Sequence, residues 1–401
     1  MKNKCCLCKT QTLNELLIFN SQPIGNRFLQ KASLAEKSHP MVVVQCEGCG
    51  LIQLIDPVPA NELLPQFNWI TYNEPEAHLN ELADSLIKLP GIQKGSSIGG
   101  ISFKDDTLLS RLKKRGISKT WRVEQAADLD IKANGAGVET IQDRLTSSRC
   151  DAIARKYGLA DIIIARHILE HAYDVLGFIN NLKQLIKPGG YIVIEVPDCS
   201  KAIAKLDYTT LWEEHIVYFT PATFQHGFRT AGLSLASFMN YPYPFENSLV
   251  GIAQASRRDV PLNMTDETLK KEIEKGGLFA KSFSDQRDKI RKYLARFRQA
   301  EGKIAMFGAG HLACTFINIF GIKEYIEFIV DDNPNKKGLF MPGSRLPIFS
   351  SAELLKKGVK LCLLSLSPQA EEKVIANNQE FVRQGGRFCS IFPGSSLAIE
   401  I

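Results

Sequence analysis

The sequence predicts an α/β protein built on doubly wound sheets and preceded by a small cysteine-bearing module. Between residues 95 and 255, short β-branched runs alternate with stretches of helical periodicity, a pattern typical of a parallel sheet covered by helices. The same alternation returns after residue 301, and two CxxC pairs stand within the first 49 residues. With 401 residues the chain exceeds the size at which one hydrophobic core stops growing, so we expect several domains.

Changes in composition along the chain place the domain boundaries. Prolines punctuate the segment after the second cysteine pair, and a strongly charged stretch with helical period precedes the second α/β region. We expect five parts: a cysteine module over 1–57, a helical connector over 58–94, an α/β core over 95–255, a helical linker over 256–300 and a second α/β domain over 301–401.

The elements of the two α/β regions follow from their apolar periods. In the first region we predict strands in SSIGGI, TWRVEQ, GVETIQD, ADIIIARH, GGYIVIEVPD and LVGIAQAS, and helices in DDTLLSRLKKRG and VLGFINNLKQLI. In the second we predict strands in KIAMFGAGH, IEFIVDD, KLCLLSL and RFCSIFP, and a helix in LACTFINIFG.

Composition and charge exclude several classes of protein. No apolar run approaches the roughly 20 residues that span a bilayer, and the N-terminus lacks the pattern of a signal peptide. We therefore expect a cytoplasmic protein without a membrane partner. The formal charge of +6 is spread over helix faces and no nucleic-acid motif accompanies it, so we expect a small anionic molecule as partner and no nucleic acid. We expect a monomer or a weak homodimer.

The two CxxC pairs predict a metal site. Cys5, Cys8, Cys46 and Cys49 stand as two pairs about 40 residues apart, and thiolates at this spacing can close a tetrahedral shell around zinc. Cys6 lies inside the first pair and is the poorer ligand. Four thiolates leave no open position for water, so we expect a structural zinc ion.

Residues 160–198 carry the first resemblance to a known family. A buried strand ending at Ala165 and Arg166 is followed by a helical stretch, the turn sequence KPGG and another buried strand. Together these resemble the late core of class I S-adenosylmethionine-dependent methyltransferases. The resemblance implies a Rossmann-like sheet that binds S-adenosylmethionine at the carboxyl ends of its strands, with Arg166 and His167 at the cofactor.

The same resemblance implies a glycine loop after an earlier strand. Gly99 and Gly100 stand where this loop is expected, although the sequence FKDD occupies the region of the last glycine. Glu124, about 24 residues further on, is the expected acceptor for the ribose hydroxyls, and Asp143 is expected to meet the adenine.

The order of motifs along the whole chain resembles a narrower family. A double CxxC module, this core, the sequence WEEHIVYFTPATF and a tail with FGAG and DDNPNKKGLFMPGSRLPIFS are similar to the three-part sugar C-methyltransferases, which act on nucleotide-linked keto-deoxysugars. In that family an EHxxYF segment carries the active site, and here it is Glu214, His215, Tyr218 and Phe219. A further histidine of the family matches His171.

The implied chemistry explains these residue types. Methylation of a carbon beside a ketone requires removal of an acidic proton, and an imidazole that titrates near neutrality suits the base. We expect His215 to be this base, Glu214 to orient it or bind the sugar, and His171 to polarise the keto oxygen or hold a hydroxyl. Tyr72 and His78, in the connector, are further candidates.

Alternative functions remain open from the sequence. A sugar O- or N-methyltransferase would keep the cofactor and need no enolate, and a degenerate core could bind a nucleotide sugar as a scaffold. The tail sequence IAMFGAGH, followed by Asp331 and Asp332, is typical of a dinucleotide fingerprint. An NAD-dependent oxidoreductase is thus a third possibility, but the related family uses no nicotinamide there and we predict none. A nucleotide phosphate at the helix start after Gly310 stays open.

Overall fold

A computed structural model describes residues 4–67, 69–70, 74–131, 137–255 and 264–400, and it confirms the predicted α/β fold class. The strands are β1 Leu13–Pro23, β2 Ser38–Cys46, β3 Ile52–Ile55, β4 Ser97–Gly100, β5 Lys119–Arg122, β6 Ala160–Arg166, β7 Ile186–Asp198, β8 Val217–Tyr218, β9 Leu233–Tyr241, β10 Asn247–Ala255, β11 Lys303–Phe307, β12 Ile326–Val330, β13 Ile348–Phe349, β14 Val359–Leu364 and β15 Arg387–Ser390. The helices are α1 Leu79–Leu86, α2 Asp106–Lys114, α3 Gln125–Leu129, α4 Val138–Arg144, α5 Ser147–Tyr157, α6 Val175–Lys183, α7 Ser200–Lys205, α8 Pro221–Thr230, α9 Asp266–Ala300, α10 His311–Phe320, α11 Glu353–Lys356, α12 Pro368–Asn377 and α13 Gln379–Arg383.

The chain forms two compact units, each assembled from separate segments. The first unit contains Met1–Glu15, Val43–Ser200 and Glu214–Glu274. The second contains Leu16–Val42, Lys201–Glu213 and Lys275–Ile401. Among the described helices, none is both long and apolar enough to cross a membrane.

The first unit is built on a six-stranded sheet of order β5-β4-β6-β7-β10-β9. Strands β5, β4, β6 and β7 run parallel, whereas β10 is antiparallel to both of its neighbours. Ile162, Ile163 and Ile164 of β6 are all fully buried because apolar clusters cover both faces of the sheet. The carboxyl ends of β4, β5 and β6 therefore meet at one edge, where an α/β sheet binds its ligand.

The four-stranded sheet of order β1-β2-β3-β8 carries the cysteine module. Its pairing brings Ile52 of β3 opposite Tyr218 of β8. The EHxxYF segment, residues 214–219, thus contains strand β8 of this small sheet.

The second unit has a five-stranded parallel sheet of order β13-β12-β11-β14-β15. Ala305, Phe307, Val330 and Leu364 line one of its apolar cores. The charged stretch before it forms the 35-residue helix α9, as its period predicts.

Two local predictions were wrong. The run GVETIQD, predicted as a strand, forms helix α4, because Val138, Ile141 and Leu145 recur at helical spacing and are all buried. The KPGG sequence, predicted as a turn before the next strand, lies inside β7, at the point where the register between β6 and β7 shifts. A Cβ atom on Gly190 would come within 3.0 Å of the Lys187 carbonyl oxygen, so this bulge requires glycine.

Candidate active site

The four predicted metal ligands converge. The Sγ atoms of Cys5, Cys8, Cys46 and Cys49 all lie within 4.8 Å of one another, with 3.7 Å between Cys5 and Cys49 and 3.4 Å between Cys8 and Cys46. A zinc ion with Zn–S bonds of about 2.3 Å and tetrahedral angles needs sulfurs about 3.8 Å apart. The four sulfur donors and their spacing therefore fit a zinc ion that is coordinated by four thiolates and has no open position. Cys6 is not part of the cluster.

Both knuckles have the same backbone turn. The Lys9 amide donates to the Cys5 carbonyl and the Gly50 amide donates to the Cys46 carbonyl. Lys9 and Gly50 both have a positive φ, +63° and +71°. This turn brings the two thiols of each pair to the same side, which explains why the CxxC spacing recurs.

The glycine loop after β4 is closed by a carboxylate of the protein itself. Asp105, fully buried, accepts the amide hydrogens of Ile101 at 2.7 Å, Ser102 at 2.8 Å and Arg166 at 2.9 Å. Burial raises the pKa of Asp105 to about 7 against these hydrogen bonds and the Arg166 charge. A Cβ atom on Gly100 would lie 2.9 Å from the Asp105 Cβ, so this glycine makes room for Asp105.

The other residues predicted to bind the cofactor differ in how far they are exposed to solvent. A Cβ atom on Gly99 would lie 2.5 Å from the Trp121 ring, so Gly99 serves internal packing. Glu124 follows β5 with an exposed side chain, and its amide donates to Asp128 Oδ2 at 2.8 Å. Asp143 is exposed on α4.

Beside the carboxyl end of β6, the buried carboxylate of Glu195 contacts four polar side chains. Parallel pairing sets Arg166 opposite Glu195, and Arg166 Nε donates to Glu195 Oε2 at 2.5 Å. Ser248 Oγ donates to Glu195 Oε1 at 2.6 Å, while the Nε2 atoms of His78 and His167 lie 3.0 and 3.2 Å from that oxygen. Burial would raise the pKa of Glu195, but the charges of Arg166 and His167 hold it well below its usual range.

His167 is surrounded by further carboxylates. Its Nδ1 lies 3.6 Å from Glu170 Oε1 and 4.0 Å from Glu74 Oε2. Burial opposes a charged imidazole, but Glu74 and Glu195 raise the pKa of His167 to about 10, so it is protonated at neutral pH. Conversely, His167 and Lys104 overcome the effect of burial on Glu74 and lower its pKa to about 2. His167 is therefore a fixed cation and not a base.

Two other carboxyl groups of this region hold their protons more tightly. Burial raises the pKa of Glu170 above its usual range, and burial together with Glu74 raises the pKa of Glu246 to about 8. Within the described part of the chain, Glu170 Oε2 and Arg166 Nη2 are buried without a hydrogen-bond partner. These two atoms mark a polar spot beside the end of β6.

The structure brings together His171, Glu214 and His215. His171 Nδ1 lies 2.7 Å from the Glu214 carbonyl oxygen and 3.2 Å from Glu139 Oε1. The rings of His171 and His215 meet edge to face, with centroids 4.8 Å apart. Burial and the neighbouring His215 hold the pKa of His171 well below its usual range, whereas His215 itself is half-buried. Tyr72 lies outside the described residues.

Sequence reasoning missed several charged residues of this region. Asp105 was noted only as part of the FKDD sequence that replaces the last glycine, and Glu74 and Glu246 belong to no motif that was singled out. Glu195 did carry a signal, because it is the single acidic residue in the apolar strand YIVIEVP. A lone charge in a strand buried on both faces predicts a buried partner, which here is Arg166.

Comparison with known proteins agrees with this organisation. Family models match a zinc binding domain at residues 5–63, a methyltransferase domain at 104–237 and a C-methyltransferase C-terminal domain at 262–393. The C-methyltransferase NovU of Streptomyces niveus is 25% identical over 403 residues, which cover 98% of this chain and 96% of NovU.

Solved structures match a smaller part. An O-methyltransferase family protein from Burkholderia thailandensis is 17% identical, with 46% of this chain and 59% of that chain covered and a TM-score of 0.30. The CcbJ methyltransferase from Streptomyces caelestis is 12% identical, with 47% of this chain and 94% of that chain covered and a TM-score of 0.29.

The sheet, the cysteine cluster and the family matches define an enzyme, an S-adenosylmethionine-dependent methyltransferase with a zinc-binding module. The three family models follow one another along the chain as a zinc-binding domain, a methyltransferase domain and a C-methyltransferase C-terminal domain, and the similarity to C-methyltransferase NovU spans nearly the whole chain.

Proposed function

We propose that the protein methylates a carbon next to the ketone of a nucleotide-linked deoxysugar, with His215 as the base that forms the enolate. One observation carries this proposal: His215 stands edge-on against a neutral, hydrogen-bonded His171 in the unit that holds the methyltransferase sheet. Similarity to C-methyltransferase NovU over nearly the whole chain supports methylation of carbon rather than oxygen or nitrogen.

Two neighbours of His215 support its role as the base. The carbonyl oxygen of Glu214 can only accept a hydrogen bond, so Nδ1 of His171 carries a proton. Burial and the neighbouring His215 hold the pKa of His171 well below its usual range, so the ring is neutral. A neutral neighbour does not repel a proton arriving on His215. Glu74, whose pKa is about 2, is ionised and close enough for its charge to interact with His215. It stabilises the imidazolium that forms when the base takes a proton.

Each of these side chains has one role in the reaction. His215 takes the proton from the carbon beside the ketone, and the electron pair of that C–H bond moves toward the keto oxygen. The enolate carbon is then the nucleophile for methyl transfer, and the proton stays on His215. Because Nε2 of His171 carries no proton, His171 accepts a sugar hydroxyl rather than polarising the ketone. The Glu214 carboxylate binds the sugar.

The donor set at the sheet edge fits the cofactor. When bound, S-adenosylmethionine supplies an electrophilic methyl group. The exposed Glu124 carboxylate at the end of β5 suits the ribose hydroxyls. Arg166 Nη2 and Glu170 Oε2, buried without partners among the described atoms, suit the polar end of the molecule. His167 supplies a fixed positive charge beside them, and Asp143 is assigned to the adenine.

Exchange of the carbon-bound proton tests the base directly. The enzyme is incubated in D2O with S-adenosylhomocysteine and a panel of nucleoside-diphosphate keto-deoxysugars, and NMR follows the hydrogens beside the ketone. We expect the wild type to exchange one such hydrogen and His215→Ala to lose this exchange by at least about a hundredfold. His226→Gln, a buried histidine paired with Thr230, is the matched control and should exchange normally.

Product analysis completes the test. With S-adenosylmethionine carrying a 13C methyl group, NMR should locate the new methyl on carbon. A label on oxygen or nitrogen, or full exchange in His215→Ala, contradicts the proposal.

A further inference from the structure

The second unit contains a cavity of about 190 Å³ that belongs to none of the roles above. Its walls come from residues 205–209 and from parts of 286–399. These stretches lie within Lys201–Glu213 and Lys275–Ile401, so the whole cavity belongs to one compact unit. An apolar cavity of about 150 Å³ holds a benzene molecule. The volume therefore suits a single ring that carries a short substituent.

Most of the cavity wall is apolar, and much of it is aromatic. Phe316 and Phe320 lie one turn apart on α10, with ring centroids 4.8 Å apart. Tyr208 meets Phe320 edge to face at 6.0 Å, and Phe392 and Ile290 also line the cavity. All five side chains belong to residues that are buried. Aromatic rings in such a wall can pack against a ring of a ligand and can attract a cation.

One residue of the wall is a buried carboxylate with an unused oxygen. Asp207 is 8% exposed, and its Oδ1 accepts the Thr209 amide hydrogen at 3.0 Å and the Thr209 hydroxyl hydrogen at 2.6 Å. Among the atoms that the structure describes, no donor is bonded to Oδ2 and no basic side chain lies within 4.0 Å of this carboxylate. Burial raises the pKa of Asp207, against the Thr209 hydrogen bonds and the charge of Lys205. Buried charges in proteins are ordinarily paired, so this carboxylate lacks a cation.

The backbone before Asp207 has a conformation that leucine rarely adopts. Helix α7 ends at Lys205, and Leu206 follows with φ +57°. The Asp207 amide donates to the Ala202 carbonyl oxygen at 2.9 Å, which closes the end of the helix. Glycine is usual at such a position, because a left-handed residue with a Cβ atom costs conformational energy. Leu206 instead contributes to the cavity wall, and strained residues of this kind are found at ligand sites.

Lys205 also lines the cavity, but it does not pair with Asp207. Lys205 is exposed, and a Cβ atom on Gly394 would lie 2.4 Å from its Nζ, so the ammonium group lies over Gly394. Its charge acts on Asp207 from beyond 4.0 Å. Lys205 therefore does not supply the cation that the buried carboxylate lacks.

We propose that this cavity binds a small organic ammonium ion, whose ammonium group donates to Asp207 Oδ2 and whose apolar ring packs on the aromatic wall. A neutral hydroxyl group would leave the buried charge uncompensated, and an anion would be repelled by it. The inference is independent of the proposed function, because all residues of the cavity belong to the second unit.

Benzylamine and benzyl alcohol separate recognition of the charge from simple filling of the cavity. The two probes have the same ring and nearly the same size, and only benzylamine is a cation at neutral pH. Calorimetric titration of the full-length protein should give a Kd for benzylamine at least about tenfold below that for benzyl alcohol. The reason is that a hydrogen bond to a charged group is about twice as strong as a neutral one.

Asp207→Asn removes the charge and keeps an oxygen for the Thr209 donors. We expect it to raise the Kd for benzylamine by about tenfold or more and to change that for benzyl alcohol by less than about twofold. Asp331→Asn is the matched control in the same unit. The Asp331 oxygens accept the amide hydrogens of Asn333 at 2.9 Å and Ala309 at 2.8 Å, and Asp331 does not line the cavity. It should change neither Kd.

Two further variants locate the site. Gln286, half-buried on α9, lines the cavity, so Gln286→Trp adds a large ring to the wall and should raise the Kd for both probes by at least about tenfold. Lys205→Met removes a like charge and should tighten the binding of benzylamine without changing that of benzyl alcohol.

Thermal melts establish that each variant is folded. Equal Kd values for the two probes in the wild type overturn the proposal, as does a folded Asp207→Asn variant that still prefers benzylamine. Unchanged binding in Gln286→Trp would show that the probes bind elsewhere and also overturns it. If Asp207→Asn does not fold, Gln286→Trp and Lys205→Met still decide the question, because neither residue is buried.

Discussion

Glu195 is a single buried residue whose negative charge is compensated by side chains of the first unit. Its two carboxylate oxygens receive Arg166, Ser248, His78 and His167, all of them buried. Removal of such a partner leaves the remaining charges inside the protein without compensation. The carboxylate is thus needed for the sheet edge to fold with Arg166 inside it.

We predict that Glu195→Ala lowers the free energy of unfolding by about 3–5 kcal/mol, because Arg166 is left as an uncompensated buried cation. Urea unfolding of the first unit, followed by circular dichroism, measures this loss. Glu124→Ala, which removes an exposed carboxylate, should change the free energy of unfolding by less than about 0.5 kcal/mol. A loss in Glu195→Ala no larger than this would show that the network carries little stability.

We predict a pH-dependent effect of His167→Gln. The pKa of His167 is raised to about 10 in the folded protein from 6.5, so its charged form stabilises the fold fully below pH 6.5, and this contribution disappears as the pH rises through 10. The difference in melting temperature between the wild type and His167→Gln should therefore be largest near pH 6 and shrink toward pH 10.

His226 provides the control with the opposite sign. Burial lowers its pKa below 6.5, so its neutral form is favoured in the fold, and its contribution grows as the pH rises toward 6.5 and stays constant above that value. A difference for His167→Gln that grows with pH, as expected for His226→Gln, would contradict the charge assigned to His167.

At the residue scale the sequence predicted which side chains form the candidate site better than it predicted the contacts that hold them. His171, Glu214 and His215 were found because they lie in motifs, and the structure brings them together. Asp105 was not found, because its role depends on three amides, two from the loop after β4 and one from the end of β6. A carboxylate that closes a glycine loop has no fixed spacing along the chain, so its partner is visible only after β4 and β6 pair.

Among the elements, the zinc module is defined by the two knuckle turns rather than by a large core. We predict that Cys49→Ala loses the bound zinc, whereas Cys6→Ala retains one ion per chain, because only Cys49 belongs to the four converging thiols. Metal content after gel filtration, measured by atomic emission, checks this. Retention of zinc by Cys49→Ala, or its loss from Cys6→Ala, would reassign the ligands.

The elements themselves were predicted where their apolar period was long. Strand β6 and helix α9 follow directly from an unbroken apolar run and a sustained helical period. Helix α4 was predicted as a strand because seven residues with three β-branched side chains satisfy either period. Its burial against α3 and the 3-10 turn that contains His171 decides the matter, and that packing is absent from the local sequence.

For the whole molecule, the cofactor candidates all belong to the first unit. We predict that S-adenosylhomocysteine at 100 times its Kd stabilises that unit by about 2.7 kcal/mol, which raises its melting temperature by roughly 5–11 °C. Scanning calorimetry should show one transition moved by the ligand and one that keeps its position. Glu36 belongs to the second unit and accepts the Gly343 amide hydrogen at 2.9 Å, so Glu36→Ala should lower the transition of that unit. Movement of that transition alone would place the ligand on the second unit.

The second unit is discontinuous along the chain, and this limits how the protein can be cut or recombined. Leu16–Val42 and Lys201–Glu213 belong to it although most of the unit begins at Lys275. Tyr208 stacks on Phe279, and its hydroxyl donates to the Phe279 carbonyl oxygen, so a fragment starting at the long helix exposes an aromatic surface to water. Chimeras between relatives with a single crossover would therefore join mismatched halves of this unit, and functional hybrids require three exchanged segments.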